Sequence, residues 1–145
     1  MKDLGNLVNS TLYLNIEPEI INKNLKFLGD NYGRILLHEW FLFWFPHYFE
    51  KYAETIDTLF LVDEFIPITW RFYIALMAAS TMRSDYLIRT IEDAFLFHGG
   101  DENWLLHGLS YVPNKIKKLA RINNILAHQP WKIQGNDLNV NIIII

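Results

Sequence analysis

The residues of this chain able to do chemistry are five histidines, His38, His47, His98, His107 and His128, and a scatter of carboxylates; there is no cysteine. Without a thiol there is no thiolate nucleophile and no sulfenic acid to form, so thiol redox chemistry is excluded at the outset. His38 and Glu39 begin the pattern by which zinc hydrolases place two histidines around a glutamate on one helix face, but the position that would complete it is Leu42. No metal site is expected, and the histidines read as residues of helix ends and loop edges. Glu92 and Asp93 are adjacent, and neighbouring helical positions diverge by about 100°, so they do not form a facing acid/base pair. With Asp85 and Arg89 they fit a surface ladder of ion pairs. Gly99 and Gly100 precede a short acidic stretch with no following lysine, which is not a phosphate loop, and no cofactor is expected. The densest positive cluster is Lys115, Lys117, Lys118 and Arg121, with Trp131 and Lys132 further on. It is either a solvated helix face or a contact for an acidic protein partner.

The elements that must position these residues follow from composition and periodicity. A chain of 145 residues, 51% hydrophobic, has ample material for a buried core. The formal net charge of -3 gives no global drive toward nucleic acid or an anionic membrane. No basic region leads into an apolar stretch at the N-terminus, and the longest apolar run, Ile35 to Phe45, is broken by His38 and Glu39. A soluble, intracellular protein is expected, in which the glycosylation sequon at Asn9 is idle.

Residues 1–16 are polar and weakly patterned, an N-terminal arm. Pro18 opens a helix carrying Ile20, Ile21, Leu25 and Leu28, with Gly29 and Asp30 as its stop. Ile35 to Phe45, apolar nearly all round, predicts a helix in the centre of the core. From Pro46 to Leu61 a stripe of Phe49, Tyr52, Ile56, Leu59 and Phe60 faces inward. Thr69 is the expected N-cap of a helix from Trp70 to Met82, on which Ala75, Ala78 and Ala79 allow close packing. Ser84 and Asp85 offer the next cap, followed by Ile88, Ile91 and Phe95 and stopped at Gly99 and Gly100. Asp101 caps a short helix, and Pro113 begins another that turns Ile116, Leu119, Ile122 and Leu126 inward and the basic cluster outward. No segment alternates cleanly with period two, so the fold class is all-α. The tail, 134–145, ending in four isoleucines, completes no helix.

Several strings in this order resemble a known family. Phe45-Pro46-His47-Tyr48-Phe49, then Trp70-Arg71-Phe72-Tyr73-Ile74-Ala75-Leu76-Met77-Ala78-Ala79, Tyr86-Leu87-Ile88, Gly99-Gly100-Asp101 with Trp104-Leu105, and Ile122-Asn123 leading to Leu126-Ala127-His128 and Pro130-Trp131 resemble the N-terminal domain of the sestrins. The resemblance implies an AhpD-like helical domain over 17–133, related to the alkylhydroperoxidases and incomplete at its C-terminus. It also implies a stress-response role: restraining reactive oxygen species and damping target-of-rapamycin signalling through GATOR-type partners, in cytoplasm and nucleus.

The family's redox centre is a cysteine, a tyrosine two residues on and a histidine five further, at the start of a helix, where the helix N-terminus favours the thiolate. On this chain those positions are Ser84, Tyr86 and Ile91. Only the tyrosine is kept. Ser84 is then expected as a helix cap, Tyr86 as a core tyrosine with a polar tip, and Ile91 as part of the apolar stripe. The implied function is regulation by binding, through the Lys115 to Arg121 face or the aromatic surface around Trp40 and Trp44. The alternatives are a truncated fragment of little independent function and an oxidoreductase remnant. Leucine binding is not expected, because the resemblance places that pocket in a second domain.

Overall fold

The computed structural model describes residues 18–62 and 66–133; the expected arm, sequon and tail lie outside them. Every regular element among the described residues is helical, and the chain is all-α. Its order is α1 (Pro18–Tyr32), α2 (Leu37–Leu42), α3 (Pro46–Ile56), a π turn (Asp57–Leu61), α4 (Ile68–Thr81), α5 (Asp85–Phe97), α6 (Glu102–His107), a 3-10 turn (Gly108–Ser110), α7 (Asn114–His128) and a 3-10 turn (Pro130–Lys132). The chain divides into two compact units, residues 1–59 and 60–145.

In the first unit α3 lies against both α1 and α2 around a cluster of Ile21, Leu28, Phe43 and Phe49. The rings of Phe43 and Phe49 stack at 4.9 Å. Burying each such ring contributes about 1.5–3 kcal/mol. The expected stop at Gly29 is passed: α1 runs to Tyr32 and ends at Gly33, which takes φ +66°. A glycine inside a helix costs about 1 kcal/mol against alanine, and Tyr32, packed against the cluster, offsets that cost.

The apolar run from Ile35 does not form a central helix. Only Leu37–Leu42 is α-helical, and of the run just Glu39 and Phe43 are fully buried, while Leu37, Phe41, Trp44 and Phe45 are exposed. Pro46 forces the break, because its ring disfavours the α region for the residue before it, and Phe45 sits at φ -130°, ψ 72°. The stripe expected through Leu61 holds for Phe49, Tyr52 and Ile56. The wider winding of the π turn then breaks the 3.6-residue period, and Leu59 points into solvent.

In the second unit α4 packs along α5 and α7. Phe72, Tyr73, Ala79, Phe95, Val112 and Ile116 are buried. Trp104 meets Tyr73 edge-on at 5.4 Å and Phe95 at 5.9 Å, while Phe72 stacks between Phe60 and His98 at 4.9 Å on each side. The helix expected from Trp70 starts two residues earlier, after Pro67 rather than a Thr69 cap. Arg71 explains the shift: its guanidinium donates to the carbonyls of Ile66 at 2.7 Å, Phe60 at 3.4 Å and Val62, holding the approach to α4 in place.

Two helix ends in this unit have the same geometry. At the end of α4 the Arg83 N–H donates to Ser80 O and the Ser84 N–H to Ala79 O, with Arg83 at φ +54°. At the end of α5 the Gly99 N–H donates to Leu96 O and the Gly100 N–H to Phe95 O, with Gly99 at φ +80°. Both are Schellman closures, which satisfy the last carbonyls of a helix through a left-handed residue. Gly100 is needed for a second reason, since a Cβ there would lie 2.4 Å from the Phe95 ring. Two orientations on the later helices differ from the sequence expectation: Leu126 is 53% exposed rather than inward, and Lys117 is half-buried rather than outward. The apolar side of α7 is therefore narrower than its sequence suggests, centred on fully buried Ile116.

Candidate functional site

The turn from α4 to α5 carries the three positions that the resemblance singles out. Ser84 is the N-cap of α5, and its Oγ accepts the Leu87 N–H at 3.4 Å. This satisfies one of the donors that a helix start leaves open. A hydroxyl in that position is held as an acceptor and is not an anion. Tyr86, on the first turn, is 46% exposed, so it is a surface tyrosine and not the core residue expected. Its position explains this: the face that α5 turns inward runs through fully buried Phe95, and Tyr86 lies off that face. Ile91, half-buried, continues the apolar side. The structure thus places Ser84, Tyr86 and Ile91 on one helix but gathers no nucleophile and base from them.

The basic cluster separates into two roles. Lys115, Lys118 and Arg121 recur every third residue on α7 and are exposed. Lys117 turns back instead, its Nζ donating to Ser110 O at 3.3 Å and tying α7 to the preceding turn. Beyond α7, Trp131 is 77% exposed.

Sequence reasoning missed a third constellation, in the first unit. Glu39 is only 2% exposed, and its two oxygens accept from the Leu36 N–H at 2.7 Å and the Tyr52 hydroxyl at 3.3 Å. The same hydroxyl lies 2.9 Å from His38 Nε2. Burial pushes the Glu39 carboxyl above the usual carboxylate range, opposed by the Leu36 and Tyr52 hydrogen bonds and by the Arg34 charge. Burial likewise lowers the His38 imidazole. The three groups join α2 to α3 and keep a buried carboxylate satisfied. The only sequence signal was the His38-Glu39 pair, and its partner is thirteen and fourteen positions away on another helix. Among the described residues no group of three or more His, Cys, Asp or Glu side chains is placed to hold a metal ion, and no helix is long and apolar enough to cross a membrane.

Fold and site together define an all-helical protein in which a serine caps the helix Asp85–Phe97. The chain belongs to the sestrin family: residues 29–143 match the family described as PA26 p53-induced protein (sestrin). It is 33% identical over 125 residues to the sestrin homolog of Dictyostelium discoideum, covering 86% of this chain and 21% of that protein. Over 88 residues, 61% of this chain and 18% of each relative, it is 42% identical to human sestrin-2 and 39% identical to mouse sestrin-1. The chain spans about a fifth of the length of these curated relatives.

Proposed function

We propose that this chain is a stress-response regulator of the sestrin type that acts by binding, in cytoplasm and nucleus, to limit reactive oxygen species and damp target-of-rapamycin signalling through a GATOR-type protein complex. The observation that carries the choice of binding over catalysis is the state of Ser84. Where the resemblance puts a redox cysteine, this hydroxyl is engaged with the Leu87 N–H as a helix cap. A serine oxygen neither forms an anion readily nor oxidises to a sulfenic acid, so the family's thiol chemistry has no atom to proceed on.

The surface that supports binding is the stripe of Lys115, Lys118 and Arg121, with exposed Trp131 beyond it. Exposed cations steer an acidic partner and fix its register, and an exposed tryptophan supplies contact area. The test is capture of a purified GATOR-type complex by the intact chain and by a Lys115→Glu, Lys118→Glu, Arg121→Glu variant. The wild type should bind, more weakly as salt rises, and the variant should lose at least tenfold in affinity. Absence of wild-type binding, or an unchanged affinity in a folded variant, refutes the reading.

A further inference from the structure

The second unit contains a cavity of about 340 Å³ between α4, α5, α6, the turn after α6 and α7. Leu76, Ile88, Trp104 and Leu105 are among its apolar lining residues, and Ser80, Thr81, Glu92 and Asn123 are its polar ones. A cavity of this size, mostly apolar with a few convergent polar groups, has the form of a small-molecule site.

The hydrogen bonds within the wall decide what it offers a ligand. Thr81 Oγ1 donates to Met77 O at 2.8 Å and accepts from Asn123 Nδ2 at 2.8 Å. The Tyr73 hydroxyl donates to Trp104 O at 3.4 Å. Asn123 Nδ2 keeps a second N–H and the Ser80 hydroxyl can donate, while Asn123 Oδ1 and the Glu92 carboxylate are the side-chain acceptors of the wall. Among the described residues no lysine, arginine or histidine lines the cavity, and the Glu92 carboxylate is the one charged group of that lining. Glu92 is half-buried here and not a fully solvated member of the expected surface ladder. A carboxylate, an amide oxygen and an indole ring beside aliphatic side chains are complementary to an organic cation. An anion would meet the Glu92 charge with no cation among the described wall residues to offset it, and the carboxylate of a zwitterionic amino acid would likewise find no cation there.

We propose that this cavity binds a small organic ammonium ion with a short apolar body, the ammonium donating to Glu92 and Asn123 Oδ1 and the body lying against Trp104, Leu76 and Leu105. This stands independently of the regulatory reading above.

Four probes sharing a branched apolar body isolate the charge: 3-methylbutylamine, 3-methylbutanol, 3-methylbutanoate and leucine. Each is titrated into the full chain at pH 7 by calorimetry, with tryptophan fluorescence as a second readout; the amine is then an ammonium, far below its ordinary value of about 10.4. The expected result is saturable binding of the amine and none of the other three. Glu92→Gln, close in shape, should weaken the amine at least tenfold. Ser80→Lys, at an exposed position, should do the same by adding a cation to the wall, and decides the matter should Glu92→Gln lose its cooperative melting. The proposal is overturned by absence of saturable amine binding, by equal binding of the alcohol, or by folded variants that bind the amine as the wild type does.

Discussion

A tyrosine hydroxyl held between an imidazole and a buried carboxylate makes the first unit sensitive to protons in two opposing ways. His38 has a lowered folded value, so the unfolded chain takes up a proton that the native one resists. Its contribution to stability is complete above the ordinary imidazole value of 6.5 and is lost as pH falls through the lowered value. Glu39 has a raised folded value, so its contribution is present below the usual carboxylate range and is lost as pH rises through the raised value. Replacing His38 removes its part of the pH dependence and leaves that of Glu39. Denaturant unfolding at pH 7 and pH 5 should therefore show His38→Gln losing less stability between the two than the wild type loses. Equal losses would show that the imidazole remains as basic in the fold as outside it.

Helix termini set much of this architecture, and two of them make a matched experiment. The end of α4 uses Arg83 where glycine is favoured, at φ +54°, and a left-handed residue with a Cβ carries strain of about 1–2 kcal/mol. Arg83→Gly should raise stability by about 1 kcal/mol in equilibrium denaturation. The end of α5 uses Gly100 against the Phe95 ring, and Gly100→Ala should lower stability by about 1–3 kcal/mol, because a fully buried ring has nowhere to retreat. A neutral alanine would mean that the ring swings aside. Caps of this kind were legible in the sequence: Ser84 and Asp101 each accept a backbone N–H within three residues, at Leu87 and Asn103, and local bonds leave local signatures. What distant partners decide was not legible. Arg71 reaches back to carbonyls between Phe60 and Ile66, Tyr52 bonds Glu39 across two helices, and the π turn changes the period without announcing itself in residue type. Leu126 was misplaced because periodicity gives the spacing of an apolar side but not its width, whereas Tyr86 was placed in the core with the resemblance and lies opposite the inward face of α5.

For the molecule as a whole, membership of the sestrin family and the chemistry of the α4–α5 turn point to different parts of the family's repertoire. Without cysteine the chain has no thiol for the chemistry that the resemblance implies. Purified protein should consume no alkyl hydroperoxide above a protein-free control from about pH 6 to 9, across the range in which a thiol of ordinary pKa about 8.5 ionises. Turnover that persists after metal removal would show that another group carries the activity. The apolar residues at the surface fit the same division, for Phe41, Phe45 and Tyr48 in the first unit and Leu106, Tyr111 and Trp131 in the second are all more than half exposed. Contact area of this kind is the raw material of association.

The close approach of Gly100 to Phe95 also has a genetic consequence. Glycine alone among the coded residues lacks a Cβ, so every missense change in that codon, whatever its polarity or size, brings the same first carbon to within 2.4 Å of the ring. Lineages carrying this helix end should favour glycine at that codon, and a saturation library ranked by stability should put glycine first there while exposed Glu102 tolerates many residues.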